Sequence, residues 1–312
     1  MKRFFILSVS LIFIFLMTAC GNETVTENNN AKIFCTVTDD VGRTIEFTKK
    51  PERIVTVSAS FLEPLHAVGG VVAGRPSSKT KLPDFAKDAA DIGFVYQIDS
   101  EKLLACEPDL VLINKGMNEK LSTILDENKI PYLIIEMKTY DEVKKNLEMF
   151  SEITGQPDRG KKIIAEMDMS IKNILEKLPR ENKRVAILHG TAQGLSVQLD
   201  GSIAGNIIKI LGWENVSSEE ISDSKDSVPY SLETLIEQNP EIIFVTSMGN
   251  IDEIKNSIEK EIAGNSAWQT IPAIKNNQLY YLPQDLFLLS PGIKYPEAVE
   301  YIAKLIYPEA FK

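Results

Sequence analysis

Apolar residues in this chain fall mostly into short unbroken runs, each followed by a longer stretch at helical spacing. Runs at 53–57, 71–74, 110–113, 132–135, 183–188, 242–245 and 279–282 have the length of strands buried on both faces. Between them the spacing predicts helices over 61–68, near 117–128, over 203–211 and over 295–306. Residues 141–178 also read as helical, with a break at Thr154-Gly155-Gln156-Pro157. After that break, 158–178 is one amphipathic helix with Ile163, Ile164, Met167, Ile171, Ile174 and Leu175 on one side. Residues 33–50 alternate instead and turn at Asp40-Val41-Gly42, which predicts a hairpin. Residues 75–99, rich in Pro, Ser and Gly, read as irregular. Strands alternating with helices give an α/β fold with mostly parallel sheets.

The pattern also repeats. Residues 101–113 (EKLLACEPDLVLI) match 233–245 (ETLIEQNPEIIFV), with Glu101 on Glu233, Leu103 on Leu235, Pro108 on Pro240 and Asp109 on Glu241. Each copy predicts a helix end, a proline turn and a buried strand. Two related halves predict two Rossmann-like lobes, and a crevice between lobes is where small ligands bind. A single long helix joining them would hold their orientation nearly fixed. The expected division is a segment 1–19, a tether 20–32, a first lobe 33–157, the joining helix 158–179 and a second lobe 180–312.

The N-terminus changes the setting. Lys2 and Arg3 precede an apolar stretch, 4–17, which is shorter than the roughly 20 residues of a comfortable membrane span and reads as a secretory signal. Thr18-Ala19-Cys20 resembles a bacterial lipobox, with Met17 where leucine is usual. That resemblance implies cleavage before Cys20 and lipid on its sulfur, anchoring the protein outside the cytoplasm. Residues 21–32 are polar and Asn-rich, a flexible leash. The net charge of −10 argues against nucleic acid as a partner. Of three cysteines, lipid would take Cys20, leaving Cys35 and Cys106, which are read as unpaired.

Taken in order, Pro51-Glu52-Arg53-Ile54-Val55-Thr56-Val57, the short helix into Gly69-Gly70, Asp91-Ile92-Gly93, both repeats, 274–282 (IKNNQLYYL) and 290–300 (SPGIKYPEAVE) resemble the metal-chelate class of substrate-binding lipoproteins of ABC importers. The similarity spans roughly residues 35–312. It implies two α/β lobes on one rigid helix, a monomer, and a transported ligand in place of an intrinsic cofactor. The ligand would be an iron chelate (ferric siderophore or haem), with cobalamin as the alternative. It further implies that Glu101 and Glu233, one per lobe, dock onto arginines of a membrane permease served by a cytoplasmic ATPase.

Loops after the strand ends supply the candidate ligand contacts: Ser60, Arg75, Phe94, Tyr96, Lys115, His189, Tyr230 and Met248. Arg75, Lys79, Lys81 and Lys115 suit an anionic siderophore, while Phe94, Tyr96 and Tyr230 offer aromatic faces. The haem-binding relatives place an axial methionine and an axial histidine where this chain has Tyr96 and Met248. Tyrosinate and thioether also ligate haem iron, and His189 adds an imidazole nearby. His66 is expected to be structural. The apolar run 285–289 suits either a cleft wall or packing beneath the last helix. A surface hydrolase is the competing class, but G-x-S-x-G, H-E-x-x-H and P-loop signatures do not occur in the sequence.

Overall fold

The computed structural model describes residues 32–78, 82–218 and 226–312. The predicted signal, Cys20, the tether through residue 31, Lys79 and Lys81 lie outside the described residues. The first lobe holds five parallel strands in the order Ala90–Asp91, Val72–Arg75, Ile54–Thr56, Leu110–Asn114, Tyr132–Ile135. The second lobe orders its strands Ser227–Pro229, Gly194–Gln198, Arg184–Thr191, Ile242–Ser247, Leu279–Tyr281, with Glu214–Asn215 also paired to Arg184–Thr191. Among the described strands there, Gly194–Gln198 alone runs opposite to the rest. The hairpin Cys35–Thr38/Thr44–Phe47 docks on the edge of the first sheet, where Ile134 N–H donates to Asp39 Oδ2 at 3.1 Å. Residues 75–99 are less irregular than expected, because Gly93–Phe94 and Gln97–Ile98 close a small hairpin of their own.

The repeat extends further than its sequence match. Each helix of the pair, Ser100–Ala105 and Leu232–Gln238, ends beside a left-handed residue, Glu107 (φ 47°) and Asn239 (φ 51°). Arg53 donates to the Cys106 carbonyl at 3.0 Å through Nε, and Arg184 donates to the Gln238 carbonyl at 2.8 Å. The acids at 109 and 241 answer by accepting from the backbone N–H of Arg53 and of Arg184. In both lobes a cation therefore satisfies the free carbonyls of the helix end, and an acid fixes the start of the neighbouring strand.

Pro157–Leu175 is the joining helix, entered through Gly155 (φ 68°) with Pro157 in its first turn. It stops at Leu175, short of 178, as expected before a proline, here Pro179. Gly160 lets it approach the preceding helix, Tyr140–Ile153; a Cβ there would sit 2.5 Å from Ser151 Oγ. One apolar cluster runs from Ile54, Leu112 and Phe150, through Met167, Ile171 and Ile174 of the joining helix, to Ile187, Phe244 and Ile302. Rotating one lobe against the other must shear this cluster, so close packing opposes the movement. Two smaller clusters line the outer faces of the sheets.

Candidate ligand cleft

The C-terminal strand ends of each lobe carry the loops that the sequence points to. Those of the first lobe follow Thr56, Arg75, Asp91, Asn114 and Ile135; those of the second follow Thr191, Ser247 and Tyr281. The lobes touch at several points beside these loops. Ser290 N–H donates to Ser60 Oγ at 3.2 Å, Lys294 pairs with Glu63 at 2.7 Å, and Lys138 pairs with Asp226. Ser60 thus serves a contact between lobes in this structure.

Large apolar side chains are exposed on these loops. Tyr96 is 67 % exposed, Met117 56 %, Met248 53 % and Leu289 43 %. Tyr96 rides on the hairpin Gly93–Phe94/Gln97–Ile98, stacked on Phe94 at 5.4 Å between parallel rings. Two ties hold that hairpin. Asn118 Nδ2 donates to the Val95 carbonyl at 2.6 Å, and Asp91 accepts from the Gly93 N–H at 2.9 Å and from the Ser77 hydroxyl at 2.5 Å. The Ser77 bond, then the Gly93 and Arg75 contacts, hold the Asp91 carboxyl below its ordinary pKa.

Two of the expected contacts already have protein partners in this structure. Arg75 is buried, and its guanidinium donates to the carbonyls of Ala86 and Pro76 and to Asp91. It braces the loop and offers no free cation. Tyr230 packs against Trp268 at 6.2 Å between centroids, and its hydroxyl donates to Glu261, so one face of its ring is already covered. Burial, followed by Glu261, pushes its pKa well up. The run 285–289 divides its roles. Phe287 is buried against Tyr301 of the last helix, Tyr295–Ile306, while Leu289 faces out. His66 stacks on Phe85 at 3.8 Å, in line with a structural part.

Lys115 keeps its place at the strand end, bound to Glu136 at 2.6 Å. Lys138, not foreseen from the sequence, bridges Glu136 at 3.2 Å and Asp226 across the lobes. Burial opposes the charge on Glu136, but the two lysines outweigh it and lower the pKa. Hydrogen bonding to Glu136 raises that of Lys115. Arg75, Lys115 and Lys138 are thus each already paired with a carboxylate. In the second lobe His189 is half-buried at the end of Arg184–Thr191, opposite Thr246, with Nδ1 at 2.9 Å from Thr246 Oγ1. Burial lowers its pKa and keeps the imidazole neutral near pH 7. Glu101 and Glu233 are both exposed in the first turns of their repeat helices. Cys35 and Cys106 are buried and unpaired. Among the described residues, no cluster of His, Cys, Asp and Glu is built to hold a bare metal ion, and no helix is long and apolar enough to cross a membrane.

The family model for periplasmic binding proteins matches residues 54–286. The high-affinity heme uptake system protein IsdE of Staphylococcus aureus is 27 % identical over 275 residues, covering 85 % of this chain and 90 % of IsdE. The structure of S. aureus IsdE complexed with heme superposes with a TM-score of 0.74 at 23 % identity, over 82 % of this chain and 98 % of that one. An ABC transporter substrate-binding protein from Listeria monocytogenes gives 0.74 at 24 % identity, over 83 % of this chain and 100 % of that one. S. aureus SirA complexed with staphyloferrin B gives 0.72 at 20 %, over 89 % and 97 %.

Proposed function

Since the chain belongs to the periplasmic binding protein family, we propose that it is an extracytoplasmic receptor that binds haem between its lobes and delivers it to an ABC-importer permease. The observation that carries this reading is the exposure of Tyr96, Met117, Met248 and Leu289 on the strand-end loops of both lobes. A flat apolar chelate would cover these side chains, and apolar walls with a few polar groups are usual for small-molecule sites. The pairing of Arg75, Lys115 and Lys138 with carboxylates points the same way, because a multiply anionic siderophore would have to compete with Asp91, Glu136 and Asp226. The relation to IsdE, a heme uptake protein, agrees with this choice. Tyr96 from the first lobe and His189 or Met248 from the second are the candidate iron contacts. In this reading Cys20 carries the lipid anchor, and Glu101 and Glu233 engage arginines of the permease through charge-assisted hydrogen bonds. The protein is a carrier of its ligand and performs no chemistry on it. Parallel titrations of the unlipidated domain with haem, ferric siderophores and cobalamin test the assignment. A saturable, shifted Soret band supports it, and binding of a siderophore or cobalamin with no haem response overturns it.

A further inference from the structure

In the second lobe the His189–Thr246 contact extends into a short polar chain. His189 Nδ1 lies 2.9 Å from Thr246 Oγ1, and Thr246 Oγ1 lies 3.4 Å from the Leu188 carbonyl. Strand register creates this arrangement. His189 and Thr246 are directly opposed on adjacent parallel strands, so their side chains emerge side by side on one face. Val185, Ile187, Ile242 and Phe244 occupy the same face below them and belong to the cluster shared by both lobes. Thr246 is fully buried, whereas His189 is partly exposed, and the imidazole turns its Nδ1 toward the buried hydroxyl.

We infer that Thr246 is a positioning residue that fixes the tautomer of His189 and so makes its Nε2 the second-lobe donor to the iron of a bound haem. This deepens the haem reading and rests on it. A threonine hydroxyl has one proton. With that proton directed to the Leu188 carbonyl, Oγ1 is an acceptor and His189 Nδ1 must carry the hydrogen. Nε2 then keeps its lone pair, and the ring makes no other hydrogen bond among the described residues. Histidine ligands commonly donate their second ring N–H to such a group, which sets ring orientation and raises ligand basicity. Met248 lies beyond the strand end at 53 % exposure, with only its backbone N–H tied, to the Gly190 carbonyl. His189 is therefore the more preorganised of the two.

The test uses Thr246→Val, which keeps the shape and removes the hydroxyl, Thr246→Ser, which restores it, and His189→Ala. Each is titrated with ferric haem and with metal-free protoporphyrin IX, following the Soret band. Loss of an outer partner of a metal ligand typically weakens binding about 10–100-fold. We expect that loss for haem in Thr246→Val and in His189→Ala, with a displaced Soret maximum, near-normal haem binding in Thr246→Ser, and unchanged protoporphyrin binding in both Thr246 variants. Wild-type haem affinity and spectrum in Thr246→Val and His189→Ala would overturn the inference alone. Equal loss of haem and protoporphyrin in Thr246→Val would reduce Thr246 to a packing residue and also overturn it. A wild-type protein with no saturable Soret band would overturn the haem reading and this inference together.

Discussion

Replacing Asn206 by leucine tests what holds the two lobes in register. Asn206 lies on the second-lobe helix Ile203–Ile210, and its Oδ1 accepts from the Tyr140 N–H at 3.0 Å and the Tyr295 hydroxyl at 2.8 Å. Tyr140 opens a first-lobe helix, and its own hydroxyl donates to Asp168 of the joining helix at 2.8 Å. One amide thus ties both lobes, and through Tyr140 the joining helix. Leucine keeps the branching of the side chain but has no acceptor, so two donors lose their partner. Each buried unsatisfied group costs about 1–3 kcal/mol. Tyr295 has a second acceptor, the Lys138 carbonyl at 3.3 Å, and recovers part of its loss. The expected destabilisation is about 2–3 kcal/mol. Tyr295→Phe removes a donor and leaves Asn206 paired with Tyr140, so it should cost only about 1 kcal/mol. Urea unfolding followed by the fluorescence of Trp213 and Trp268, both buried in the second lobe, gives both values by linear extrapolation. A loss in Asn206→Leu no larger than in Tyr295→Phe would show that the Asn206 amide does not tie the lobes.

Three further outcomes follow from the same geometry. Tyr96→Ala should weaken haem at least about tenfold, as loss of an iron contact should cost no less than loss of an outer partner; equal affinity by titration would remove Tyr96 from the site. Glu101→Ala with Glu233→Ala should abolish uptake by cells while haem affinity stays at the wild-type value, and normal uptake would contradict the docking role. Asp39 gives an acid limb to stability. Burial raises its pKa, but hydrogen bonds from Arg43 and from the backbone of Arg43, Ile134 and Val41 outweigh this and lower it. The folded pKa lies below the unfolded one, so the contribution is present above about pH 4 and disappears as pH falls through the folded value. Stability of Asp39→Asn measured against pH should accordingly lack part of the wild-type fall below about pH 4.

The repeat was legible because both copies combine apolar runs with a proline turn, and the last helix at 295–306 because its apolar spacing is regular. For Arg75 a sequence shows a cation following a strand, not that Asp91 and two carbonyls close around it. For Tyr230 the sequence likewise does not show that Trp268, on a distant turn, stacks on its ring. The Asn206 node, Lys138 and the role of Thr246 had no local signal. Each depends on pairing between segments far apart in the chain, which single-residue patterns do not encode. His189 was visible as an imidazole at a strand end, but its partner became identifiable only once strand register set it opposite Thr246.

Hydrogen–deuterium exchange of the domain with and without haem reports whether the ligand lies between the lobes. Haem held between the lobes should slow exchange at 94–96 and 115–118 in the first lobe together with 189–193 and 247–250 in the second, with little change along the joining helix. Protection confined to one lobe, or to the exposed side of the joining helix, would contradict that placement.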